Sequence, residues 1–111
     1  MIKRMSIIVR KPGLDDDAFR KAWLRHGELA RRVPLVRRYV QNHILDRTQR
    51  GVHPRGEQQV DGFVEFWFDG VEELEAAFAS PEGQALQADG RTFLSAVTTF
   101  LVEERPIIGW R

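Results

Sequence analysis

The stretch Phe63-Val64-Glu65-Phe66-Trp67-Phe68, closed by Asp69-Gly70, decides the fold. A short run rich in aromatic and β-branched residues, ended by a turn dipeptide, reads as a strand. Successive side chains alternate across a strand, so Val64, Phe66 and Phe68 share one face. Phe63, Glu65 and Trp67 share the other. Both faces therefore carry large apolar groups.

Downstream, Val71 to Ala79 (VEELEAAFA) has helical pattern, and Ser80-Pro81-Glu82-Gly83 interrupts it. Pro81 suits the first position of a new helix, which carries Ala85, Leu86 and Phe93 inward. Val97 to Glu104 is a last strand. Upstream, residues 46–60 (DRTQRGVHPRGEQQV) are polar, with two Gly and one Pro. A loop of that length in a compact domain suggests a lid or a mobile segment. Residues 36–46 are rich in strand formers: Val36, Tyr39, Val40 and Ile44.

Before them, Phe19, Ala22, Trp23, Leu29, Ala30 and Val33 recur on one face of an amphipathic helix. Asp15, Asp16 and Asp17 suit its start, and Pro34 stops it after Val33. Met5, Ile7 and Val9 alternate with Ser6, Ile8 and Arg10, which predicts a first strand at 3–11, turned by Pro12-Gly13. The order β–α–β–β–α–β is the split βαβ, ferredoxin-like α+β arrangement. It gives a four-stranded antiparallel sheet with helical segments on one face. The other face would expose a large apolar patch, which soluble monomers rarely do. Face-to-face pairing of two sheets in a two-fold homodimer resolves this.

The 111 residues make one domain, and 17 basic against 16 acidic residues leave a net charge of +1. That balance argues against a nucleic-acid protein. The absence of cysteine excludes disulfides, thiolate metal sites and a thiol nucleophile. No apolar run reaches the length of a secretory core or a membrane span. These features together suggest a soluble cytoplasmic protein.

Four segments converge: WLRHGELA around His26, RRYVQNHILD at 37–46, DGFVEFWFDGVEELEAAFASPEG at 61–83, and TFLVEER at 99–105. Together they resemble the EthD family of dimeric α+β barrel proteins over nearly the full length. That family is named after a protein linked to bacterial degradation of ethyl tert-butyl ether. Its relatives include methylmuconolactone isomerases and fungal polyketide dehydratases. The resemblance implies a cavity between sheet and helices in each subunit, with the sheets meeting at the dimer interface. It does not fix a chemistry, because one fold hosts many.

His26 lies three residues after Trp23 and seven after Phe19, so it points inward with them. It is a core histidine bonded to a backbone carbonyl, or a titrating group in a pocket. It matches the family's His-Gly motif, and a pKa near 6.5 suits proton transfer. Phe19 and Trp23 are core residues or substrate-contacting walls beside it. Tyr39, Gln41 and His43 share one face of their strand, and Asn42 points the other way. If that face looks toward the helices, Tyr39, His43 and His26 line one cavity and share acid, base or orienting roles. Otherwise Tyr39 is a wall residue and His43 a strand-end residue facing solvent.

Glu65 between aromatics needs a partner. It is a raised-pKa acid or, more simply, a salt-bridge partner of Arg37 or Arg10. Trp67 beside it is core or a ligand platform. Asp61 matches the Asp-Gly of the family, and turn chemistry explains it. Arg47, Arg50, His53 and Arg55 crowd the loop and would attract a carboxylate, or form a solvated lid with Asp46 and Glu57. No metal-ligand spacing, phosphate loop or cofactor motif is readable.

The leading reading is a cofactor-independent enzyme that isomerises, dehydrates or cyclises a small, mostly apolar carbonyl, lactone or phenolic compound. His26 is its proton shuttle and Tyr39 its donor to a developing oxyanion. A non-catalytic carrier of a hydrophobic metabolite and a cofactor-free oxygenase are the alternatives.

Overall fold

A computed structural model describes residues 1–48 and 50–111; Gln49, within the 46–60 loop, lies outside the described residues. The chain runs β1 (Ile2–Arg10), α1 (Asp16–Ala30), β2 (Arg38–His43), β3 (Gly62–Phe68), α2 (Val71–Ala79), α3 (Pro81–Phe93) and β4 (Leu94–Val102). The four strands form one antiparallel-paired sheet in the order β2-β3-β1-β4. This is the ferredoxin-like α+β fold that the sequence pattern predicts. Element ends shift by a few residues. The helix reaches Ala30 rather than Val33, and β4 begins at Leu94, directly after α3.

Local chemistry explains the boundaries. Asp15 caps α1, its carboxylate accepting from the Ala18 amide at 2.8 Å. Ser80 ends α2 and caps α3, its hydroxyl oxygen accepting from Gly83 N at 3.0 Å, with Pro81 at the first helical position. Leu35 takes a left-handed backbone, φ 67°, to turn the chain from α1 into β2. Arg47 ties the start of the long loop to its end, donating to the Val60 carbonyl and to Asp61.

Register sorts the side chains into two faces. Arg4 pairs with Phe66, Ser6 with Val64 and Ile8 with Gly62, and these lie beneath the helices. The core on that side is built from Ile8, Phe19, Trp23, Val64, Phe66, Phe68, Leu86 and Phe93. Lys3, Met5 and Ile7 pair with Trp67, Glu65 and Phe63 on the opposite face, which no helix covers. There Phe63 is 38% and Phe100 57% exposed. No helix among the described residues is long and apolar enough to cross a membrane.

Two glycines mark where backbones meet. A Cβ at Gly83 would run into the Ala77 carbonyl oxygen and the Phe78 Cα, so α2 and α3 touch main chain to main chain. Gly83→Ala is therefore expected to destabilise by about 3 kcal/mol, as overpacking against unyielding backbone does. Gly56→Ala, where nothing lies within 4 Å, should be neutral. Chemical denaturation of both variants checks this, and equal midpoints would refute the close approach.

Candidate functional site

Trp23 is 1% exposed and seats its ring against β3, where Gly62 leaves room for it. One turn later on the same face comes His26. Its ring stands edge-on to Phe93 of α3, with centroids 5.3 Å apart. Trp23 and His26 line a cavity of about 360 Å³ between α1, α3 and the sheet, with Arg4, Val64, Phe66 and Phe78 among its other walls. That volume suits a small organic ligand.

His26 is not bonded to a backbone carbonyl. Its Nδ1 lies 2.8 Å from Oδ2 of Asp89 on α3. A carboxylate accepts, so Nδ1 carries the proton and Nε2 holds the lone pair of the neutral ring. Among the described residues no protein group bonds Nε2. Burial pushes the His26 pKa down, and the hydrogen bond and charge of Asp89 push it back part of the way. The net result lies below the ordinary value near 6.5, so the ring is a neutral base at neutral pH.

Tyr39 and His43 do face the helices, yet they do not line the His26 cavity. They and Gln41 form a separate polar chain behind Trp23. The Gln41 Nε2 donates to the Trp23 carbonyl at 2.7 Å and to the Tyr39 hydroxyl at 2.8 Å. His43 Nε2 lies 2.8 Å from Gln41 Oε1, and its ring stacks on Trp23 at 4.2 Å between centroids. Tyr39 opens instead on a depression beside Leu24 and Glu28, on the other flank of α1. Burial raises its pKa, with hydrogen bonding to Gln41 and the Trp23 region opposing. His43 faces a third depression with Phe19, Arg20 and Asp61. Its pKa is lowered, by burial first and then by the Arg20 charge.

Glu65 and Trp67 sit on the uncovered face of the sheet, across β3 from the cavity, because neighbours in a strand alternate. They do not line it. Glu65 has a salt bridge, but to Lys3 of the adjacent strand rather than Arg37 or Arg10, and it accepts from Asn42 at 2.8 Å. Burial acts to raise its pKa, and Lys3, Asn42 and Arg38 outweigh that and hold it below the usual value. Trp67 lies under Lys3 and Arg38 in cation–π contacts. Arg37 pairs with Asp69. Asp61 is more than a turn residue: it is buried and accepts from the Arg10 amide and from Arg47. Among the described residues of 46–60, none lines the His26 cavity.

Two residues escaped the sequence reading. Asp89 is 63 positions from His26, and no spacing rule links them. Arg4 reads as a charged strand residue until the register turns it toward the cavity.

The lowered His26 pKa has a defined consequence. Between the folded and unfolded pKa values the unfolded chain binds more protons, so this contribution is present above about pH 6.5 and is lost as pH falls below it. An NMR titration should give His26 a pKa below 6.5. Asp89→Asn, which removes the opposing charge, should lower it further. A higher value in that variant would refute the ion-pair assignment.

The EthD domain model matches residues 11–96. No curated protein matches the chain. It is similar to a crystal structure of an ethyl tert-butyl ether D (EthD) family protein from Bacillus halodurans, at 26% identity and TM-score 0.75, covering 95% of this chain and 99% of that one. It also shares its fold with a hydroxynitrile lyase from Passiflora edulis, at 13% identity and TM-score 0.73, covering 97% and 96%. A variant of SnoaB, a cofactor-independent oxygenase from Streptomyces nogalater, aligns at 10% identity and TM-score 0.61, covering 94% and 92%. With the family model spanning more than half of its length, the chain belongs to the EthD family.

Proposed function

We propose that this chain is a cofactor-independent enzyme that moves a proton on a small carbonyl, lactone or phenolic compound. One observation carries the reading. His26 is bonded through Nδ1 to Asp89, while among the described residues its Nε2 has no protein partner, and the ring forms part of a mostly apolar cavity wall. A neutral imidazole in that state takes a proton from a carbon beside a carbonyl, and Asp89 stabilises the imidazolium that forms. Return of the proton elsewhere on the substrate gives an isomer. Its delivery to a departing hydroxyl gives dehydration. Tyr39 and His43 act at one remove, through Gln41 and Trp23, by holding α1 in place. The occurrence of this fold in a lyase and in a cofactor-independent oxygenase supports a catalytic reading.

The test follows a panel of lactones, phenols and anthrones by mass spectrometry, with solvent deuterium as a label. A converted compound, or one that exchanges a carbon-bound hydrogen, identifies the reaction. His26→Ala should fold and lose about 100- to 10,000-fold in rate, the range of a general base. Binding without conversion or exchange would make the protein a carrier.

We also propose that the uncovered sheet face pairs with a second copy of the chain. Phe63, Trp67 and Phe100 share that face, with the Lys3–Glu65 pair already satisfied among them. Sedimentation should give a dimer at micromolar concentration, and Phe100→Glu should yield monomer. A stable wild-type monomer would refute the pairing.

A further inference from the structure

Arg4 is the anomaly of the cavity. It projects from β1 beneath the helices, and its guanidinium packs on Phe78 and Phe66, 4.5 and 5.7 Å from the ring centroids. Among the described residues no carboxylate lies within ion-pair reach of it, and it donates no hydrogen bond to the protein. Burial acts against its charge and lowers its pKa from the ordinary value. An arginine nevertheless keeps that charge in a protein. A half-buried cation without a counter-charge costs stability, and such groups are normally paired.

The rest of the lining sharpens the point. Among the described residues no Asp or Glu belongs to the cavity lining, the Asp89 carboxylate being engaged by His26 Nδ1, and Arg91 adds a second cation. The other polar groups there already have protein partners. Ser6 bonds Thr99 at 2.9 Å, Ser95 donates to the Arg10 carbonyl at 3.1 Å, and Gln87 donates to the Phe78 and Gly83 carbonyls. Arg4 points away from the uncovered face, to the helix side of the sheet. Among the described residues, the remaining open hydrogen-bonding positions are the Arg4 fork on the sheet, the Arg91 guanidinium on α3 and a basic nitrogen on α1.

We propose that the cavity takes a small carboxylic acid with an apolar body, its carboxylate held by Arg4 and its ring lying on Phe66 and Phe78. The planar guanidinium matches a carboxylate through two parallel hydrogen bonds. The acid supplies the missing counter-charge, and its carbon frame fills the apolar space toward His26. The assignment rests on the cavity being the substrate site of the proposed function, and it narrows that substrate to an anion.

Affinities of phenylacetate and cyclohexanecarboxylate, each against its own neutral amide, test it by NMR titration of the wild-type protein. Each acid should bind at least tenfold more tightly than its amide. Arg4→Met should abolish that preference while leaving amide affinity unchanged, and Arg4→Lys, which keeps the charge without the fork, should retain only part of it. His26→Ala should keep the preference intact even if turnover is lost, so loss of the shuttle and loss of the anion site are told apart. Equal affinity for acid and amide in the wild type, or a preference that survives Arg4→Met, overturns the anion site but leaves the cavity as the ligand site. Failure of all four compounds to bind overturns both.

Discussion

The structure depends on the seat of Trp23 over Gly62. A Cβ at position 62 would fall 2.5 Å from the edge of the indole, so the absence of a side chain on β3 is what lets α1 approach the sheet. Ile8 bounds the same space at Gly62, and His43 stacks on the indole from β2. Gln41 fixes the backbone of the same residue by donating to its carbonyl. One side chain thereby sets the height and rotation of α1. Every residue one turn away follows: His26 turns to the cavity, and Gly27 lies close against Gln41, where a Cβ would be 3.0 Å from Nε2. A larger residue at 62 would lift the helix and carry His26 away from Asp89.

Much of this was legible in the sequence because it depends on local periodicity. The 63–68 run, the Phe19–Trp23–His26 spacing and the Ser80-Pro81 break each encode an element through contacts within a few residues. They yield the element order, the inward histidine and the split of β3 into two faces. The partners of these groups depend on register and helix packing, which periodicity does not carry. Lys3 reaches Glu65 because Met5 pairs opposite it and Lys3 lies on the diagonal. Asp89 reaches His26 because α1 and α3 lie side by side. Tyr39 shows the limit most plainly. Its strand face was readable, and it does look toward the helices, but it packs on the cavity-wall residue Phe66 and opens on a different depression.

The sheet treats its charges in opposite ways on its two sides. Lys3 and Arg4 are neighbours on β1, and both are largely removed from water. On the uncovered face, Lys3 meets Glu65 and lies 3.6 Å from Glu104, with Asn42 completing the carboxylate's bonds. That cluster is closed within the chain, so it can be covered by an apolar surface without stranding a charge. Removing Lys3 would leave the Glu65 charge without its cation, and that is the costly event for a buried ion pair.

Arg4 has no such closure. Aromatic faces offset part of the loss of water, but they supply no hydrogen-bond acceptor in the plane of the guanidinium. A protein under selection for stability alone would favour methionine or leucine at such a site, since an apolar residue of similar volume would pack on Phe66 and Phe78 without the desolvation cost. A cation kept unpaired among the described residues at a cavity wall, in the same cavity as a histidine whose Nε2 is likewise unpartnered among them, marks a place where stability is given up for function. The two groups come from opposite walls, sheet and helix, and a ligand that joins them must have an anionic end and an apolar body carrying an acidic C–H bond. The geometry thus constrains the substrate through what the protein leaves unsatisfied, where the fold by itself constrains nothing.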